Sequence, residues 1–137
     1  MRDDNCFFCR IANGGVPSAT IYEDDDFRVF LDVGPATRGH ALLVPKEHFA
    51  NLYELDDEHC AKVLGVARKV GSRMKDKLGC DGLNLVQNNG EAAGQTVFHF
   101  HMHMIPRYKD DGAGISWTPG SISDEEKEEL VSLLAEE

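Results

Sequence analysis

Residues 99 to 105 read His99-Phe100-His101-Met102-His103-Met104-Ile105, three histidines at every second position with apolar residues between and after them. Side chains alternate faces along a strand, and two residues advance the chain by about 6.7 Å. The run therefore predicts a strand over Val97 to Ile105, with His99, His101 and His103 on one face and Phe100, Met102 and Met104 on the other. The apolar face is expected to pack on a helix. Three imidazoles in line are poorly explained as packing, because a buried imidazole needs a partner for each nitrogen and loses its hydration. Two chemistries fit such a row. Histidines at alternate positions can reach one zinc ion. Alternatively, a neutral imidazole attacks phosphorus through one nitrogen while the other donates its proton to a fixed acceptor that sets the tautomer. The loop Asn88 to Thr96, rich in backbone amides and side-chain donors, precedes the row and suits an anion, which favours phosphate.

Working outward, no repeat or low-complexity tract divides the chain, so the remaining elements are read as one sheet and its covering helices. Residues 6 to 12 predict a short helix ended by Asn13-Gly14-Gly15. Thr20 to Glu23 predicts a strand, Asp24-Asp25-Asp26 a tight turn, and Phe27 to Val33 a second strand. Gly39 to Pro45, with Ala41 to Val44 continuously apolar, predicts a third strand buried on both faces. From Asp56 to Leu78, Val63, Leu64, Ala67, Val70, Met74 and Leu78 form a stripe at helical spacing, with Asp56 as cap and Gly79 as stop. Gly65 and Gly71 inside this helix permit close packing on a sheet. Leu83 to Gln87 is the fourth strand. Ser123-Asp124-Glu125-Glu126 has capping-box form ahead of Leu130, Val131, Leu133 and Leu134, which predicts a terminal helix. The class is α+β, a five-stranded antiparallel sheet with one long helix, a short N-terminal helix and a C-terminal helix.

The 137 residues suit one domain, and 14 Lys plus Arg against 24 Asp plus Glu leave a net charge of -10. That balance, with no basic patch, excludes a nucleic-acid backbone as partner. The acidic clusters read as solvated turns and helix starts. Neither a signal peptide nor a membrane span is expected, which points to the cytoplasm and to reduced thiols. Among the four cysteines, Cys6-Phe7-Phe8-Cys9 has metal-ligand spacing.

The segment Gly94-Gln95-Thr96-Val97-Phe98-His99-Phe100-His101-Met102-His103-Met104-Ile105 resembles the signature of the histidine triad nucleotide-binding family. Cys6 to Ile11, Ile21 to Asp24, Phe30 to Val33 and Gly39 to His48 fit the family's order as well, so the resemblance covers nearly the whole chain. It implies one histidine triad domain over 1–137, with a core of about 5–108 and a tail and helix over 109–137. By resemblance, His101 is the nucleophile toward the α-phosphorus of a nucleotide, His103 contacts the phosphate, and His40 is the additional histidine near the site. Thr96 stands where relatives usually have a serine touching the leaving group. Asp32 matches the carboxylate that binds the ribose hydroxyls. Phe30, Val33 and Leu42 lie where an apolar slot holds the purine, and Asn88 and Gln95 match the phosphate side.

The resemblance to the zinc-containing branch further implies a structural zinc on Cys6, Cys9, His48 and His99, with free thiols as the alternative. Cys60 and Cys80 are expected to be small packing residues. Trp117 is the candidate either for a tail tryptophan that reaches a partner's site or for a surface anchor. A homodimer through the apolar stripe of the long helix is implied by analogy. The activity implied is hydrolysis of purine nucleoside phosphoramidates, with AMP or GMP conjugates as ligands. Alternatives are a dinucleoside polyphosphate hydrolase, a nucleotide-binding regulator with incidental turnover, and a zinc hydrolase using the triad as ligands.

Overall fold

The computed structural model describes residues 1–135. Its elements in chain order are α1 (Phe7–Ala12), β1 (Thr20–Glu23), β2 (Phe27–Leu31), β3 (Ala41–Pro45), α2 (Asp57–Leu78), β4 (Gly82–Gln87), β5 (Met102–Arg107) and α3 (Asp124–Leu134). The five strands form one antiparallel sheet in the order β1-β2-β3-β5-β4, an α+β fold as the sequence predicts.

Local chemistry sets the joints. The Asp24 carboxylate accepts the backbone N–H groups of Asp26 and Phe27 at 2.8 and 2.7 Å and closes the β1–β2 turn. The Asp56 carboxylate caps α2 by accepting the His59 N–H at 2.8 Å, and Gly79 ends the helix at φ 64°.

The sheet is covered on both faces. Val29, Leu43, Phe100, Met102 and Met104 pack with Val63, Ala67, Val70 and Met74 of α2. On the other face, Phe30, Leu42 and Val44 pack with Phe8, Ile11 and Ala12 of α1. Consecutive residues of β3 thus enter opposite cores, which is why Ala41–Pro45 is buried throughout. A Cβ on Gly71 would meet Leu83 Cδ2 at 2.7 Å, so this glycine sets how closely α2 lies on β4. Gly65 faces open space instead and has no such packing role.

Several expectations need correction. The fifth strand begins at Met102, not Val97, because the Phe100 N–H donates to the Phe49 carbonyl at 2.6 Å and not to a sheet neighbour. The predicted division of faces survives in Phe100, Met102 and Met104, all buried against α2. The strand continues through Pro106, whose carbonyl accepts the Thr37 hydroxyl at 2.6 Å on the side away from β4. The proline nitrogen faces that same side, so the β4–β5 ladder loses no donor.

The second strand ends at Leu31, which leaves Asp32 and Val33 outside it. Leu64 is 62% exposed and lies off the α2 stripe, since Val66 takes its place in the core. Cys60 is exposed and therefore no packing residue, whereas Cys80 is half-buried against the α2 core. Helix α3 forms with Ser123 Oγ accepting the Glu126 N–H at 3.1 Å, yet no residue of it is buried. No helix among the described residues is long and apolar enough to cross a membrane.

Candidate active site and metal cluster

Helix α1 is held over the sheet by side chains from three distant parts of the chain. Cys6 caps the helix and Cys9 lies one turn on, while His48 follows β3 and His99 precedes β5. Cys6 Sγ lies 3.3 Å from His99 Nδ1, and Cys9 Sγ lies 3.4 Å from both His48 Nδ1 and His99 Nδ1. A tetrahedral zinc with ordinary bond lengths separates sulfur from nitrogen by about 3.5 Å, so the spacing and donor set fit that ion.

The surroundings fit as well. His99 donates its Nε2–H to the Pro45 carbonyl at 2.9 Å, which places the lone pair on Nδ1, the nitrogen facing the sulfurs. The Cys9 and Cys6 sulfurs accept the backbone N–H groups of Asp3 and Cys9, each at 3.4 Å. Without a metal, burial pushes the Cys9 thiol up to about 11 and His99 down to about 4, so both are neutral. Four protein donors would leave no open position for water.

His101 is tied in the opposite sense. Its Nδ1–H donates to the His99 carbonyl at 2.7 Å, which leaves the lone pair on Nε2. Phe8 stands edge-on to this ring at a centroid distance of 5.1 Å and fixes its plane. The adjacent pair His40 and His103 has a defined proton order too. The Ala36 N–H donates to His40 Nδ1 at 2.9 Å, so neutral His40 carries its proton on Nε2, 2.9 Å from His103 Nδ1. His103 therefore carries its own proton on Nε2.

Burial is the main cause lowering both rings' affinity for a further proton, with His101 next at His103; Asp32 opposes it at both rings. Asp32 Oδ2 lies 3.5 Å from His40 Nε2. Asp32, His40 and His103 could converge on a metal by distance alone. The Ala36 contact argues otherwise, since it spends the His40 lone pair and leaves a proton where the metal would sit.

His101 and His103 open on a cleft of about 420 Å³ whose lining includes Phe30, Asp32, Val33, Leu42 and Thr96. One wall is α1, through Phe7 and Phe8. Sequence reading missed these two as site residues, although both stand inside the Cys6–Cys9 motif. Asp32 accepts the Gly34 N–H at 2.8 Å through Oδ1. A second chamber of about 380 Å³ shares His103 and is lined by His40, Val86, Asn88, Ile105 and Trp117. Asn88 thus faces this chamber and not the first cleft.

Gln95 is a correction to the expected phosphate-side lining. Its side chain is 2% exposed, accepts the Gly90 N–H, and donates to the Ala50 and Val97 carbonyls at 2.7 and 3.0 Å. It clamps the 90–97 loop and has no group left for a ligand. Among the described residues, neither chamber is lined by a lysine or an arginine.

The HIT domain model matches residues 13–110. A protein named adenosine 5'-monophosphoramidase hnt1, from Schizosaccharomyces pombe, is 40% identical over 97% of this chain and 95% of its own length. The crystal structure of a HIT family member from Bacillus subtilis superposes with a TM-score of 0.90 at 40% identity, covering 96% of each chain. A zinc-bound histidine triad family protein from Mycobacterium smegmatis gives 0.76 at 39% identity, covering 84% of each. Domain match, identity over nearly the full length and shared fold agree: the chain belongs to the HIT family.

Proposed function

We propose that the protein is a cytoplasmic hydrolase of purine nucleoside 5'-phosphoramidates, of the adenosine 5'-monophosphoramidase type, that acts through a covalent nucleotidyl-histidine on His101. The observation that carries the reading is the His101 Nδ1–H bond to the His99 carbonyl, which leaves Nε2 as the unengaged nitrogen of a ring lining the cleft. Nε2 attacks the α-phosphorus as the bond from phosphorus to the amine breaks, and the amine departs with a proton taken from solvent at the Thr96 side of the cleft. Water then attacks the same phosphorus and releases its proton to solvent, the bond to His101 breaks with the electron pair returning to Nε2, and the nucleoside monophosphate leaves.

The other residues take roles suited to where they stand. His103 donates from Nε2 to a phosphate oxygen, and His40 keeps that proton in place. The Thr96 hydroxyl meets the leaving group. The Asp32 carboxylate accepts the ribose hydroxyls, and Phe30, Val33 and Leu42 bracket the purine. A phosphoramidate fits better than a dinucleoside polyphosphate, because a polyphosphate leaving group brings several negative charges into chambers with no lysine or arginine.

Cys6, Cys9, His48 and His99 would hold a zinc ion, which would supply a rigid tie between α1 and the sheet and take no part in the reaction. The single domain spans residues 1–137 and pairs as a homodimer. The α2 stripe is spent on the chain's own core, so the pairing surface is the apolar groove between α2 and β4, with Leu64, Leu83 and Leu85 exposed along it.

Brief quenching followed by intact mass measurement tests the mechanism. A nucleotidyl adduct on the wild type, absent in His101→Asn, is the expected result. A dinucleoside polyphosphate turned over faster than the phosphoramidate would transfer the mechanism to that substrate. No adduct with either substrate would make the protein a nucleotide-binding module. Turnover abolished at once by chelation, with the fold intact, would make the metal catalytic.

A further inference from the structure

Helix α3 is the part of the molecule that neither the fold nor the site employs. It has eleven residues, and isolated helices of that length are marginal in water. Leu130, Leu133 and Leu134 nevertheless fall on one side at three- and four-residue spacing, exposed by 39, 70 and 78%. Glu126 and Glu129 stand one turn before Leu130 and Leu133 on that side, and Asp124 and Glu125 add charge to the first turn.

A surface of opposite character lies elsewhere on the same chain. A groove of about 430 Å³ between α2 and the β1–β2 side has an apolar floor that includes Ile21, Val70 and Met74. Arg38, Arg73 and Lys77 ring it. Among the described residues none of these three cations has a carboxylate within 4.0 Å, in a chain whose net charge is -10.

We propose that α3 is an exchanged arm, and that its apolar, acid-edged face docks in the Arg38–Arg73–Lys77 groove of a second copy of the chain. Charge complementarity selects this groove over the α2–β4 groove, whose rim includes the acidic Asp81 beside Arg68 and Lys75. The arm's own placement selects a second copy: no α3 residue is buried and none lines this groove, so the arm is not docked on its own chain. The docking does not depend on the α2–β4 pairing proposed above.

Hydrogen exchange on the zinc-loaded full chain tests it. The α3 amides should exchange about tenfold slower than in the isolated peptide, and the protection should grow with protein concentration. The triple variant Arg38→Glu, Arg73→Glu, Lys77→Glu should lose that protection, while Arg68→Glu with Lys75→Glu should keep it. Adding Glu126→Lys and Glu129→Lys to the triple variant should restore it. Unprotected wild-type amides, protection independent of concentration, or protection untouched by the triple variant would each overturn the proposal. Sedimentation of the same variants reads the α2–β4 dimer separately, because it persists when α3 is released.

Discussion

His99 and His101 are two residues apart, both nearly buried, and opposite in what they have to offer. His99 gives its Nε2 proton to the Pro45 carbonyl and turns Nδ1 toward two sulfurs. His101 gives its Nδ1 proton to the His99 carbonyl and keeps Nε2 free beside the cleft. The choice of backbone acceptor, not the residue type, separates the ring proposed as a metal ligand from the ring proposed as a nucleophile. His99 belongs to both arrangements, with its ring among the cysteine sulfurs and its carbonyl orienting the His101 ring.

The largest test of this contrast is His101→Asn, which should reduce phosphoramidate turnover by about 10⁴-fold or more while nucleotide still binds, measured by steady-state rates and calorimetry. Comparable loss in His99→Asn with its metal retained would break the distinction. Cys9→Ser should act on the other side of the comparison. It removes one metal ligand and should lower the melting temperature by of order 10 °C together with metal content, read by calorimetry and elemental analysis.

Smaller effects sharpen the proton order. His40→Gln deletes the group that holds the His103 proton on Nε2, and kcat should fall by about 10- to 100-fold with little change in KM. An equal fall in substrate affinity would instead give His40 a direct binding role.

The smallest effect is a pH dependence in the chelated protein. Burial holds His99 at about 4 in the fold, whereas the unfolded chain takes the proton near the ordinary value of 6.5. Between those values the unfolded state binds more protons. Stability of the metal-free protein should therefore fall as pH drops from about 6.5 to about 4, by of order 3 kcal/mol in urea unfolding. His40 and His103 are lowered in the same direction and add to the loss. A zinc-loaded sample should show a steeper slope over this window, because the ligands stay deprotonated in the fold and take up protons when unfolding releases the ion.

Much of the fold is legible in local chemistry. The caps at Asp56 and Ser123, the stop at Gly79 and the carboxylate turn at Asp24 each act within a few residues of the signal that announces them. The double burial of β3 follows from its unbroken apolar run. What the sequence concealed depends on partners far along the chain. The start of β5 is set by the Phe49 carbonyl, and Gln95 is consumed by Ala50 and Gly90. Leu64 fits the helical period of the stripe, yet the sheet covers a narrower arc and leaves it in solvent.

The site divides in the same way. Cys6 and Cys9 announce themselves by spacing, and the histidine row by alternation. Nothing in the residue Ala36 signals that its N–H fixes the tautomer of His40. The aromatic wall from Phe7 and Phe8 becomes visible only when α1 is seen lying on the sheet.

The proposed metal cluster would also impose an order on synthesis. Cys6 and Cys9 are separated from His99 by 93 and 90 positions, so translation must deliver nearly three quarters of the chain before the ring that faces them exists. Until then the first helix, too short to persist alone, has no anchor and its thiols remain open to other metals and to oxidants. With zinc as the resident ion, a cell that makes this protein would have to keep two cysteines reduced and free of other metals on a growing chain for the time needed to add those residues.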